Sequence, residues 1–580
     1  MGRWSYVLGL AGLVAGCRDS QVLSEPDPPP PRAIDERPVV RSALPPPPIF
    51  GGTMLATASG EYVVVSEPDR DQLQIVGLEP REVVATMVLK PGDQPWRMTE
   101  ADDGRIWVSL RGSGSLAAID PATASVVLRT TVCANVRGID FDPSTNAVIA
   151  ACGGGDAVFV DAETGAETQR ARYPADLRDV VVNGDSIFMS RFRSAEMLTI
   201  QGEAAPMPTG SVELGRRTYL REVAWRTLPR PGGGWVSLHQ VASTQTLHEV
   251  DARVYYGNAA HNLVTAAVTW TDGDAIASTN VLQIPPLAVD LALSDDGSRY
   301  ILAIAATAAH GEQTTLVSGE LVSDEGDPVP PRMNFRLDGA ATSVVFEPSG
   351  GIVAQLRNPA ALVFVADETR DEERVMLPGP TTRDTGHDLF HEDPRTGITC
   401  ASCHPEGGAD GHTWQFDDGP RLTRSLNAGL AGTAPFHWSG EHKDFATLIF
   451  ETHTLRMGAD VLPPEREQAF QDWLFAIDTP RPVRDAADAA AKRGRTQFEL
   501  AECDTCHDGA APALNDNVEI GGISLQTPPL AGVSTRSAFM HNGRASTLPR
   551  ALADMLRLAP SHFEPTPAKV DDLIAYLETL

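Results

Sequence analysis

Between residues 50 and 370 the sequence keeps returning to one pattern. The stretch IWVSLRGSGSLAAIDPATA, beginning at Ile106, aligns with AVIAACGGGDAVFVDAETG, beginning at Ala147, so that Asp161 stands 41 residues after Asp120. A third copy runs from Ser186 to Ile200, and later copies begin at Leu291 and Val344. Each copy consists of short β-rich runs broken by Gly, Asp, Asn and Pro, with hardly any helical periodicity. One such unit cannot bury its apolar face alone and must stack on its neighbours. A period of about 40 to 45 residues is that of a propeller blade, and about seven blades fit the region. The expected architecture is multidomain: an N-terminal all-β propeller over 49–370, then a mainly α region.

Near Thr382 the texture changes to helical segments and loops. Cys400-Ala401-Ser402-Cys403-His404 recurs as Cys503-Asp504-Thr505-Cys506-His507, an offset of 103 residues that Gly440 and Gly543, and Leu474 and Leu577, also keep. Gly386 and Phe390 ahead of the first motif answer Gly494 and Phe498 ahead of the second. One fold is therefore used twice, over 384–480 and 481–580, after a linker at 371–383. Each half ends in an amphipathic helix. Thr566 is the expected cap, Pro567 takes the first turn, and Val570, Leu573, Ile574 and Leu577 share a face; Phe470, Trp473, Leu474 and Ile477 answer them in the first half.

In a Cys-x-x-Cys-His segment the two thiols, one helical turn apart, can form thioethers to the two haem vinyl groups, while the histidine offers imidazole to the iron. Zinc would gather four ligands at short spacing. A thioredoxin-like switch would sit in a βαβ context, which is missing here. Two motifs in register favour two covalently bound haem c groups. Cys400, Cys403 and His404 would hold one, and Cys503, Cys506 and His507 the other.

The N-terminus supports an exported protein. A positive start, an apolar run from Tyr6 to Val14 and Ala15-Gly16-Cys17 form a signal over 1–17 that is too short for a spanning helix. Val14-Ala15-Gly16-Cys17 resembles a bacterial lipoprotein box, which implies lipidation of Cys17 and a place on the periplasmic side of the envelope. Arg18, rather than an acidic residue, points to the outer membrane. Prolines 28–31 and 45–48 make 18–48 read as an extended tether. A net charge of -30 excludes a nucleic-acid partner, which requires clustered Lys and Arg, but suits steering of a basic electron-transfer partner. Cys133 and Cys152 flank an expected hairpin of 137–142 and 147–151, and a disulfide and two free thiols both remain open.

Four stretches, GHDLFHEDPRTGITCASCH (386–404), GHTWQFDDGPR (411–421), TAPFHWSGEHKDF (433–445) and TPPLAGVSTRSAFMHNGRASTLPRALADM (527–555), resemble the bacterial dihaem cytochrome c peroxidases and the related dihaem enzyme MauG. The β repeats are similar to bacterial propellers of the YVTN and quinoprotein type. The resemblance implies that the second haem accepts electrons from a small periplasmic donor, a cytochrome c or cupredoxin, and passes them to the first, where hydrogen peroxide is reduced. It implies Met555, twelve residues after Gly543, as axial ligand of the second haem, with Met540 as fallback. It implies His412 as a distal ligand of the first haem and Trp438 as a bridge between the haems, although Ser439 and Glu441 replace the family's Asp and Arg. An interhaem Ca2+ is expected after Arg421, where Leu422 stands in place of a polar ligand. The distal acid–base group should lie in ETHTLRMGAD, with Glu451 as candidate among His453, Met457 and Asp460. Met457 falls closest by counting, and its sulfur would close the first iron. Three readings follow: a peroxidase, a pure electron-transfer cytochrome, or a MauG-like oxidase of a substrate docked on the propeller.

Overall fold

The computed structural model describes residues 32–580, apart from 202–210, 215–216, 248–262, 272–277, 310–312, 322–331, 367–369, 395, 513–515 and 560–561. The export signal, Cys17 and the tether up to residue 31 lie outside the described residues. Among those described, no helix is long and apolar enough to cross a membrane.

Seven antiparallel sheets follow one another, over 54–88, 95–131, 136–172, 177–201, 211–281, 288–335 and 341–376, here called blades 1 to 7. Blades 1, 2, 3 and 7 are four-stranded meanders in chain order. The innermost strands of successive blades touch around a ring, and the first strand of blade 1 reaches the first strand of blade 7. The ring is thereby closed. The packing explains the strand sequences. Val63 and Val65 of blade 1 meet Val353, Leu362 and Phe364 of blade 7 in one buried cluster, because an inner strand is covered on both faces. The outermost strand of blade 1, Arg81–Val88, alternates between exposed positions and half-buried ones, with Met87 buried. Cys133 and Cys152 form a disulfide that joins the loop after the outer strand of blade 2 to the second strand of blade 3.

Two expected boundaries move. Glu372–Met376 pairs with Ala361–Val365 as the outer strand of blade 7, so the propeller runs six residues beyond 370 and the linker begins at 377. Residues 32–48, expected as part of a solvated tether, instead lie strapped along the C-terminal region. Ile34 bridges Val461, Thr385 N–H donates to Val40 O at 2.8 Å, and Trp473 Nε1 donates to Pro46 O at 2.9 Å. Arg37 pairs with both Asp35 and Glu392 at 2.7 Å. Proline keeps the segment extended, and an extended chain can present its carbonyls to a neighbouring surface.

The C-terminal region carries α1 (Thr385–His391), α2 (Cys400–Cys403), α3 (Phe445–Ile449), α4 (Pro464–Phe475), α5 (Ala489–Leu500), α6 (Leu548–Leu558) and α7 (Pro567–Leu577). The duplication is visible in the packing. α1 crosses α4 where a Cβ on Gly386 would meet Trp473 Cβ at 2.3 Å and Ala469 O at 2.6 Å. α5 crosses α7 where a Cβ on Gly494 would meet Asp572 O at 1.8 Å and Tyr576 Cβ at 2.8 Å. Ala469 and Asp572, like Trp473 and Tyr576, are 103 residues apart. Only glycine lets the backbones approach this closely.

Two short parallel pairings stitch this region to the ring: Thr246–Leu247 with Gln415 and Phe416, and Thr307–Ala308 with Glu392 and Asp393.

Candidate functional site

Each Cys-x-x-Cys-His motif opens into its own cavity. The first, about 330 Å³, is lined by Cys400, Cys403 and His404; the second, about 310 Å³, by Cys503, Cys506 and His507. In the first motif Thr399 caps α2 in a capping box with Ser402, so one helical turn holds both thiols. His404 follows as the C-cap. The second motif forms a 3-10 turn, Cys503–Thr505, entered through Glu502 at φ 59°.

The imidazoles are poised as ligands. His404 Nδ1 lies 3.1 Å from Gly408 O. A carbonyl can only accept, so Nδ1 carries the proton and Nε2 keeps its lone pair. Burial pushes both His404 and His507 down to about 4, which leaves each ring neutral. His507 Nδ1 is buried with no hydrogen-bond partner among the described residues.

The four motif cysteines are not joined to one another. Burial raises Cys400 to about 12 and Cys503 to about 11, and raises Cys403 well above the usual thiol range. A redox-switch cysteine requires the opposite shift. Among the described residues the motif side chains also take part in no cluster of metal-ligand geometry, which argues against zinc at the motifs. Paired half-buried thiols, a neutral imidazole and a largely apolar cavity fit a covalently held haem at each motif.

The cavities share a wall made of Leu422, Thr423, Arg424, Ser425, Trp438 and Pro529. Trp438 lines both cavities. Its Nε1 donates to Leu422 O at 2.7 Å, and the Arg424 guanidinium lies 4.9 Å from its ring centre. The shared wall holds no carboxylate, and the Leu422 carbonyl already accepts from Trp438, so these residues do not fit the expected calcium.

Met540 and Met555 both line the second cavity. The helix carrying Met555, α6, is regular. Its counterpart in the first unit, α3, widens into a π-helix over Phe450–Arg456, with Met457 at its C-cap. Met457 is buried in the first cavity, its sulfur 4.0 Å from Cys400 Sγ. Thr452, 103 residues before Met555, lines the same cavity.

Two expected residues are elsewhere. His412 lines neither cavity; it turns to the propeller and pairs through Nδ1 with Glu222 of blade 5. A buried carboxylate captures the imidazole. Glu451 is also absent from the lining of the first cavity, since the π-helix turns Thr452, Arg456 and Met457 inward instead. Sequence reasoning missed Glu406 as well. This residue, two positions after His404, enters the propeller axis and pairs with Arg178 and with Arg111, the latter at 2.7 Å.

No family model matches the chain, and no curated protein matches it. Among solved structures, hydrazine synthase of Kuenenia stuttgartiensis is 14% identical over 58% of this chain and 99% of its own, with a TM-score of 0.44. A streptogramin B lyase is 10% identical over 55% and 94%, with a TM-score of 0.38. The dihydro-haem d1 dehydrogenase NirN is 15% identical over 58% and 68%, with a TM-score of 0.36. Scores of this size carry no argument, and the propeller rests on its own ring of sheets.

Proposed function

We propose that this chain is an exported dihaem c-type cytochrome, lipid-anchored at Cys17 on the periplasmic side, that relays electrons between two haems across Trp438. The observation that carries the reading is the pair of cavities, each holding one Cys-x-x-Cys-His motif and meeting at one wall. When bound, each haem would supply a one-electron couple. His404 and His507 would hold the irons through Nε2, and the four thiols would fix the porphyrin edges. Met555 offers the second iron a thioether, which raises its potential, with Met540 beside it. Met457 offers the first iron a thioether too, and this favours a closed first centre. A small basic donor suits the acidic chain.

One observation favours a second reading, hydrogen peroxide reduction at the first haem. The position that carries Met555 in the second unit carries Thr452 in the first, so the equivalent site has no thioether. Arg424, Arg456 and Asp418 add polar groups to that cavity.

Visible and EPR spectra of the purified protein, fully oxidised and then half-reduced, with and without peroxide, decide between the two. Low-spin signals from both haems, inert to peroxide, are expected, with Met457→Ala generating a high-spin component. A high-spin haem in the unmutated half-reduced protein that reacts rapidly with peroxide would establish the second reading. Absence of a Soret band that survives acid-acetone extraction would overturn both.

A further inference from the structure

The loop that carries Trp438 is built twice and armed once. In the first unit Phe436 bridges His442, and in the second Phe539 bridges Ala545, 103 residues on in both cases. His437 and Met540 take the same left-handed conformation, at φ 67° and 69°, and Gly440 and Gly543 follow at 66° and 65°. The backbone is therefore common to both units. The side chains are not: where the second loop has Met540, Arg544 and Ala545, the first has His437, Glu441 and His442.

Those three side chains converge. One ligand atom from each lies within 4.8 Å of the others. His437 Nδ1 is 2.7 Å from Glu441 Oε1, and His442 Nε2 is 3.7 Å from the same oxygen. His442 is 4% exposed, and its Nε2 has no hydrogen-bond partner among the described residues. The Arg424 guanidinium holds the strained loop open by donating to His437 O at 2.7 Å. His437 and Glu441 also line the first cavity, so the cluster sits at its lip.

We propose that His437, Glu441 and His442 form a binding site for a borderline divalent cation, with zinc the best fit. Two imidazole nitrogens and one carboxylate oxygen are the ligand types of a three-residue zinc site whose fourth position is left to water. A tetrahedral ion with ligands at about 2.0–2.1 Å needs them about 3.3 Å apart, and the separations of 2.7 and 3.7 Å bracket that spacing. The ion would fix the loop that carries Trp438 and place a positive charge beside the first cavity.

The test uses the full-length protein with its haems attached, stripped with a chelator and titrated with Zn2+ alone by calorimetry, with metal content measured after desalting. One Zn2+ per chain is expected. His437→Ala and Glu441→Gln are each expected to weaken uptake at least about tenfold while leaving circular dichroism unchanged. Both positions are partly exposed, so neither substitution opens the core. Failure of the unmutated protein to take up zinc overturns the site, as does equal uptake in the two variants. A shifted Soret band in His437→Ala with zinc uptake unchanged would assign His437 to the haem iron and also overturn it.

Discussion

Arg178, on the innermost strand of blade 4, and Glu406, two residues after His404, form an ion pair with side-chain exposures of 0% and 4%. Arg111 reaches the same carboxylate. Glu406 adopts φ 54°, rare for a residue with a side chain, to aim along the propeller axis. Burial opposes its ionisation, but Arg111 and Arg178 outweigh burial and hold the carboxyl well below the usual carboxylate range. Removing the carboxylate would leave the buried Arg178 and the half-buried Arg111 without their anion. Glu406→Ala is expected to lower the unfolding free energy by about 3–5 kcal/mol, read from urea unfolding followed by circular dichroism and Soret absorbance together. Because the folded pKa is depressed, this stabilisation is full above about pH 4.5, the unfolded value, and is lost as the solution is acidified further.

The His412–Glu222 pair predicts the opposite slope. Burial opposes charge on His412, but Glu222 and then Asp410 outweigh it and raise the imidazole to about 9 from 6.5. A folded pKa above the unfolded one gives stability that is complete below about pH 6.5 and lost as pH rises toward 9. Asp410, raised to about 7 by burial and then by Glu222, slopes the same way over a lower window. The expected loss from His412 is about 3 kcal/mol, and His412→Gln should flatten it. Melting temperatures across that interval test this; an unchanged slope in His412→Gln would remove the pair from the account.

Trp438 faces both cavities, so under the proposed dihaem function it should govern transfer between the haems without holding either. Trp438→Ala is expected to slow interhaem electron transfer while both Soret bands persist; Trp438→Phe should retain more of the rate. Flash photolysis or stopped-flow reduction reads this directly. Equal rates in all three proteins would show that the route passes through Arg424 or Pro529 instead.

The Cys133–Cys152 bridge closes a loop of sequence separation 19 between neighbouring blades. The chain-entropy estimate for a loop of that size is about 3 kcal/mol. Cys133→Ser with Cys152→Ser should lower the melting temperature by that equivalent and leave haem attachment unchanged, because neither residue lines a cavity.

Much of this was legible in the chain. The spacing of Asp120 and Asp161 announced the blades, since a stacked unit imposes its period on every strand. The 103-residue offset announced the second unit, and Gly386 and Gly494, 108 residues apart, matched ahead of the two motifs and mark its helix crossings. The cap at Thr566 and the buried faces of α4 and α7 followed from local chemistry. What escaped was long-range or conformational. Glu222 and His412 are 190 residues apart, and nothing in either neighbourhood names the other. The π-helix that turns Met457 inward and Glu451 away is a local change of winding with no composition signal. The prolines of 32–48 correctly gave an extended chain but not the surface it lies on. His437, Glu441 and His442 were visible as a tight spacing, but Glu441 was read only as a departure from the expected Arg.

Among the points that fasten the helical region to the ring are the linker from 377, the strap of residues 32–48, and the Glu406 carboxylate between Arg111 and Arg178. A body held by a hinge, a guy-line and a central pin cannot swivel. Any partner that settles on a given blade will therefore always find the first cavity at the same compass bearing, and a proteolytic nick in the linker alone would leave the two halves in register.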